Sequence, residues 1–501
     1  MPRRAEAPLL ATREELPHLR LMRKFDCDVA ILGAGSAGYA AARTTAGAGL
    51  KTVVIEGGTA VGGLCILRGC MPSKALLYAA EVLHLARRAD TWGIKIPTAR
   101  FDVTKVMRRK ARRIGEFADY RRQQLETGKF KFLRANATFR DAHTVELSPL
   151  APVSKKDRTA DKGAAIPTTL SASHFVIATG SIISPPPLPA LAEVGYLTSD
   201  DALSLKRLPK SLLVLGGGPT ACELAQFFAR FDVQVTMIQR GAHLLRDVDE
   251  DSADAVAKVF AREGIKLFTG TKLLGASRRG RRKVVEFEHK GKRCRAEADE
   301  ILLALGRTPN TAGLGLESIG VLTEHGRIVS NAGQQTSAPH IFAAGDCTGP
   351  YEIVHIAIQQ AEIAAHNIIN PRLPREMDYR LLTSVVFTDP QIATVGLTEK
   401  GAQSGNIPYL AASYPFNDHG KSLIMEALDG FVKLLANPKT GEILGGACTG
   451  PVGGELIHEI TVAMAKRMTV HELAALPHYH PTLAEIWTYP AEELAEKIPR
   501  I

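Results

Sequence analysis

A chain of 501 residues with 45% apolar side chains can bury cores for about three or four domains at roughly 150 residues each. Lys and Arg outnumber Asp and Glu by 62 to 52, but the charged fraction is an ordinary 23% and the excess is not gathered in one tail, so the charge alone does not make a nucleic-acid binder. No apolar run nears the roughly 18 residues of a membrane span, the first twenty residues carry charges where a signal peptide needs apolar ones, and seven cysteines are too few for a disulfide framework, which points to a reducing, cytoplasmic setting.

Residues 1–24, with Arg3, Arg4, Arg20, Arg23 and Lys24, read as a basic surface extension. The first ordered unit begins with the buried-strand run Asp28–Leu32, a glycine turn and a small-residue helix over Ala37–Ala46. In the turn Gly33-Ala34-Gly35-Ser36-Ala37-Gly38, Gly33 permits the tight bend, Gly35 lets backbone N–H groups approach a pyrophosphate, and Gly38 lets helix and strand pack closely. Glu56 ends the following strand at the distance where a carboxylate meets a ribose hydroxyl.

The next segment, Gly62-Gly63-Leu64-Cys65-Ile66-Leu67-Arg68-Gly69-Cys70-Met71-Pro72-Ser73-Lys74, places two cysteines five residues apart. In a regular helix that spacing is about 7.5 Å along the axis, at or beyond the usual disulfide limit of about 7 Å, so a bridge needs a distorted turn. Gly69 can supply the distortion, and Pro72 suits the first turn of a helix running through Leu77. A helix N-terminus favours thiolate, the reactive form of cysteine. The basic runs Met107–Arg113 and Arg278–Lys283 lack interleaved aromatics and read as solvated faces, on a helix and beside a hairpin. Residues 148–170 read as an exposed excursion.

A second strand, Leu212–Leu215, feeds Gly216-Gly217-Gly218-Pro219-Thr220-Ala221 and a helix to Arg230, again a dinucleotide turn, with alanine in its third place. Its next strand, Val233–Ile238, ends in Gln239-Arg240, with Arg246 six residues on. A neutral amide followed by cations removes the repulsion that a 2′-phosphate would meet, which favours NADPH, with NADH as the alternative. The tail shows strand-like Ser384–Phe387 and helical periodicity over Gly454–Met468. Packing is the expectation for Cys27, Cys222 and Cys448; Cys347 and Cys294 carry no assigned role, and no cysteine or histidine cluster has zinc spacing.

These segments resemble the class I pyridine-nucleotide disulfide oxidoreductases, the family of dihydrolipoamide dehydrogenase, glutathione reductase and mercuric reductase. The resemblance runs from about residue 25 to 490 and also rests on Ala178-Thr179-Gly180, Gly306-Arg307-Thr308-Pro309-Asn310, Ile341–Asp346, Phe387–Pro390 and His478-Tyr479-His480-Pro481-Thr482-Leu483-Ala484-Glu485. It implies an α/β fold: FAD-binding residues 25–180, an NAD(P)-binding domain 181–306, a central domain 307–378 completing the FAD site, and an α+β dimerisation domain 379–501.

The same resemblance implies Cys65 as the thiol that exchanges with substrate, Cys70 as the thiolate facing the flavin, and Asp346 at the ribityl chain. It further implies Lys74 with Glu223 beside flavin and nicotinamide, and His480 as acid–base with Glu485 fixing its tautomer; His478 reads as structural. In the family the His–Glu pair comes from a second copy, so the expected unit is a homodimer acting on a small or protein-bound disulfide, with no nucleic acid, membrane or metal. Asn417–Ser422 and Ser73–Leu77 look most like dihydrolipoamide dehydrogenases, whereas Leu67 and Arg68 stand where that enzyme usually has Asn and a small apolar residue. The vicinal cysteine pair that usually ends mercuric reductases is absent. The expected activity is therefore transfer of reducing equivalents from NAD(P)H through FAD to a lipoyl-type disulfide, then to a low-molecular-weight disulfide as the alternative, with a non-catalytic FAD-containing redox sensor as a different class of reading.

Overall fold

The structure, a computed structural model, describes residues 25–150 and 166–500; the basic extension and most of the 148–170 excursion lie outside the described residues. Cys27–Leu32 is buried along nearly its whole length, as a strand covered on both faces must be. It pairs in parallel with Thr52–Glu56 on one side and Thr169–Ile177 on the other. The sheet extends through Lys131–Arg134 beyond the first neighbour and through Ile341–Ala343 beyond the second. The rest of the Lys131–Asp141 strand folds back on Thr144–Pro149 as a hairpin. On this sheet the helices Ser36–Gly47 and Val354–Ile369 lie together, their shared face built from Ala37, Ala40, Ala41, Ala357, Ala361 and Ala364. Small side chains allow that close approach.

A second parallel sheet runs in the order Glu300–Leu303, Ser211–Leu215, Gln234–Ile238, Lys266–Phe268, next in the chain to an antiparallel ribbon over Thr271–Ala298. The Pro219–Arg230 helix is buried on almost every side, because it packs on this sheet and against the Cys70–Arg87 helix as well. Its polar residues Glu223, Gln226 and Arg230 must therefore find partners inside the protein.

The C-terminal part forms a five-stranded antiparallel sheet in the order Thr383–Val386, Gln391–Gly396, Ile443–Gly450, Phe431–Ala436, Leu410–Pro415. The helices Gly453–Ala465 and Thr488–Lys497 close its core around Trp487, Ile457, Ile460 and Leu494. This is the α/β architecture with an α+β tail that the sequence leads one to expect. The chain gathers into two compact units, one from Met1–Leu67 (described from residue 25), Arg113–Ile182 and Arg307–Met377, the other from Arg68–Arg112, Ile183–Gly306 and Asp378–Ile501. No helix among the described residues is long and apolar enough to cross a membrane.

Lys433 shows what burial demands of a charge. Its side chain is 5% exposed on the Phe431–Ala436 strand, with Glu399 at 2.6 Å, Asp249 at 3.4 Å and Asp251 also in contact. Burial alone would push the ammonium pKa down, but the carboxylates outweigh it and hold it above the ordinary value. Lys433→Met leaves Asp249 buried without a counter-charge, so we predict a loss of about 3 kcal/mol in unfolding free energy by denaturant titration, whereas an unchanged midpoint would refute this role.

Candidate active site

The first glycine turn has no room for side chains on its inner side. Gly33 has φ +103°, and a Cβ there would lie 2.3 Å from the Ala178 carbonyl oxygen. A Cβ on Gly38 would lie 1.8 Å from the Gly33 oxygen. The Ala178-Thr179-Gly180 segment is thus pressed against the turn. Glu56 ties the other side: its carboxylate accepts the Ala34 N–H at 2.8 Å and the Gly58 N–H. Gly35 then opens the Ser36–Gly47 helix with no side-chain cap, so no N-cap side chain takes up the N–H groups at the helix's positive end. Around Asp346 the structure adds a chain that sequence reasoning missed: Ser181 donates to Asp346 at 2.6 Å, and Arg307 holds Ser181 through its hydroxyl and carbonyl at 2.8 and 2.7 Å. An uncapped helix end, the Glu56 carboxylate held against the turn and a fixed Asp346 fit FAD.

The second turn repeats the arrangement. Gly216 has φ +121°, and its Cβ would lie 2.2 Å from the Ala304 oxygen, two residues before Gly306. Gly218 caps the Pro219–Arg230 helix without a side-chain bond, next to buried Ala221. Gln239 packs over Gly217 and accepts the Arg240 N–H at 3.1 Å, while the Arg240 side chain is exposed. Leu245 donates to the Gly217 carbonyl at 2.7 Å, which brings Arg246 to the rim of the turn, where its guanidinium lies 3.4 Å from Asp247.

Between the cysteines the helix breaks as the spacing requires. Cys65 lies within Gly63–Leu67, and Cys70 is the first residue of Cys70–Arg87, with Arg68 and Gly69 between. Gly69 takes φ −124° and ψ −115°, outside the helical range, and supplies no side-chain cap. Pro72 falls in the first turn, as expected. Arg68 is mostly exposed, 3.5 Å from Asp200. Arg121 was hidden within a basic helix: it lies 4.0 Å over the Tyr39 ring, and burial lowers its pKa while charge on Tyr39 and Cys65 works the other way. Cys27, Cys222, Cys347 and Cys448 are buried, and burial raises each thiol, Cys27 to about 12 and Cys347 to about 11. They are packed, unreactive sulfurs.

Lys74, one turn into the Cys70–Arg87 helix, meets Glu223 at 3.0 and 2.8 Å. The same carboxylate accepts the Phe387 N–H at 3.0 Å, and the Lys74 ammonium lies 4.5 Å over the Phe387 ring. In the tail, His480 Nδ1 is 2.9 Å from Glu485, with the His480 side chain 76% exposed and that of Glu485 only 11%. Nδ1 thus faces the carboxylate, leaving Nε2 as the atom able to move a proton at the surface. His478 is partly buried on Glu459 at 2.6 Å, a structural pair.

Residues 27–361 match the family described as pyridine nucleotide-disulphide oxidoreductase, and residues 382–491 match its dimerisation domain. The chain belongs to the pyridine nucleotide-disulphide oxidoreductases. A dihydrolipoyl dehydrogenase of Chlamydia muridarum is 33% identical over 475 residues, covering 92% of this chain and 95% of that protein. A mercuric reductase of Staphylococcus aureus is 32% identical over 465 residues, covering 92% and 81%. The crystal structure of LpdA from Mycobacterium tuberculosis superposes with a TM-score of 0.82 at 27% identity, covering 93% of this chain and 99% of that one. Membership in this oxidoreductase family brings FAD and a nicotinamide dinucleotide as cofactors, and the dimerisation domain points to a homodimer.

Burial alone would raise the Glu485 pKa, but the His480 ring, the Thr482 N–H and the charges of His480 and His419 outweigh it, so the group titrates below its ordinary 4.5. A carboxyl depressed in the folded state stabilises above its unfolded pKa, and that stability is lost as pH falls through the folded one. Melting temperatures measured from about pH 6 to about pH 3 should therefore fall more steeply in the wild type than in Glu485→Gln; parallel curves would remove Glu485 from the linkage.

Proposed function

We propose that Cys65 and Cys70 form the redox-active disulfide of a homodimeric, FAD-dependent NADPH:disulfide oxidoreductase acting on a lipoyl-type substrate. The observation that carries this reading is the helix break itself: two half-buried cysteines stand on either side of Arg68-Gly69, while four of the other five are buried with raised pKa values. In the proposed division of labour, residues 25–180 and 307–378 hold FAD, 181–306 hold the nucleotide, and 379–501 form the subunit interface.

Bound FAD would supply two-electron chemistry linking a nicotinamide to a disulfide. The protein does the rest with sulfur and protons. With the couple reduced, Cys65 Sγ attacks a substrate sulfur; the Cys65–substrate bond forms, the substrate S–S bond breaks, and the leaving sulfur takes a proton from His480 Nε2. Cys70 Sγ then attacks Cys65, the mixed disulfide breaks, the second substrate sulfur leaves with a proton taken from solvent through His480, and the internal disulfide returns. Two electrons and two protons pass to the substrate. Glu485 holds His480 in the tautomer this needs and supports its imidazolium form. Lys74, held by buried Glu223, supplies positive charge beside the reacting rings.

NADPH is favoured because Gln239 follows the Gln234–Ile238 strand where an acid would repel a 2′-phosphate, with Arg240 and Arg246 exposed beside it. The lipoyl substrate rests on the relative named dihydrolipoyl dehydrogenase, similar over nearly its whole length. Arg68 favours a second reading, an anionic low-molecular-weight disulfide, since an exposed guanidinium stands between the two cysteines.

Anaerobic NADPH should bleach the flavin and raise a long-wavelength thiolate-to-flavin band that Cys70→Ser abolishes. Bleaching without the band would mean a plain flavin reductase; no response to either nucleotide would mean a binding protein. A panel of lipoamide and glutathione disulfide, each with NADPH and NADH, should rank lipoamide with NADPH first, and preference for glutathione disulfide would favour the second reading.

A further inference from the structure

A second histidine lies behind the His480–Glu485 pair. His419 is completely buried, its Nδ1 lies 2.8 Å from the buried Ser422 hydroxyl, and its Nε2 points at Glu485 Oε1 from 3.9 Å. That distance is too long for a hydrogen bond, and Nε2 finds no hydrogen-bond partner among the described residues. An apolar residue would fill the same space without leaving a buried nitrogen unsatisfied, so mere packing does not account for an imidazole here.

The titratable groups around the ring are Glu485, and beyond it His480; Tyr489, edge-on with ring centroids 6.3 Å apart; and Asp418, whose carboxylate accepts the Tyr414 hydroxyl at 3.0 Å. Tyr414 stacks on Tyr489 at 3.9 Å and closes that side. Burial lowers the His419 pKa against the pull of Glu485, which favours the uncharged ring. A neutral imidazole carries one N–H. With Ser422 donating to Nδ1, that N–H is on Nε2 and its positive end meets the carboxylate; the other tautomer would turn a lone pair toward negative charge.

We propose that His419, fixed by Ser422, is a positioning residue that holds Glu485 ionised and oriented toward His480, and thereby sets the pH range in which His480 exchanges protons with substrate sulfur. The inference rests on the role of His480 proposed above. It concerns only the disulfide half-reaction, because His419 acts through Glu485 and His480.

The test uses the FAD-loaded protein and follows two half-reactions by rapid mixing: flavin reduction by NADPH, and reoxidation by lipoamide across a pH series. His419→Leu should slow the lipoamide step about tenfold, a part of the 10²–10⁴ that acid–base catalysis supplies, and move the midpoint of its pH profile by about half a unit or more. Flavin reduction should stay within about twofold. His419→Gln, which keeps an N–H directed at Glu485, should recover the lipoamide step to within about threefold.

Unchanged lipoamide kinetics in His419→Leu, equal losses in both half-reactions, or no recovery in His419→Gln would overturn the proposal. If His419→Leu does not fold, Ser422→Ala decides, with a shifted pH profile expected and an unchanged one contradicting it. His480→Gln separates the two claims: a normal lipoamide step there sinks the role of His480 itself, whereas a slow step there beside normal kinetics in His419→Leu sinks only this inference.

Discussion

One buried carboxylate ties three distant stretches of the chain together. Glu223 accepts two hydrogen bonds from Lys74 and one from the Phe387 N–H, so the Cys70–Arg87 helix, the helix of the second glycine turn and the start of the C-terminal sheet meet at a single charge. Nearby, Gln226 exchanges a pair of bonds with the Asp389 backbone, and Arg230 bridges Glu263 and Asp389. A buried charge left alone would be costly, so each of these groups fixes the position of the others. The helix that carries Cys70 is positioned by this lattice, and any displacement of Lys74 would have to break it.

The same logic of burial sorts the cysteines. Seven cysteines share the chain, yet burial keeps Cys27, Cys222, Cys347 and Cys448 protonated. Cys65 and Cys70 are only half-buried, and Cys70 opens an 18-residue helix whose first turn carries no acid. Reactivity is thus assigned by environment, not by residue type. The histidines show a similar contrast: an exposed imidazole faces a buried carboxylate, with a second imidazole behind it.

Local patterns carried far in the sequence. Gly33, Gly35 and Gly38, the Cys65–Cys70 spacing and the His480–Glu485 interval are each set within a few residues, and one stretch of backbone decides the geometry. The first strand extends one residue before Asp28, and the second nucleotide helix starts at Pro219, ahead of Ala221, since a proline is well placed to open a helix. What sequence did not disclose are contacts across long separations: Ser181 with Asp346, Arg68 with Asp200, and His419 with Glu485. No periodicity encodes a partner more than sixty residues away. His419 lies in a segment noticed for its resemblance, but its burial, the property that gives it meaning, appears only in three dimensions.

The identity of the sulfurs proposed to exchange electrons with the cofactors is open to direct measurement. Differential alkylation of the holoenzyme, read by peptide mass spectrometry before and after anaerobic NADPH, addresses this directly. Cys65 and Cys70 should be protected beforehand and labelled afterward, with the labelling of the other five unchanged. Labelling of any other pair, or of none, would contradict it.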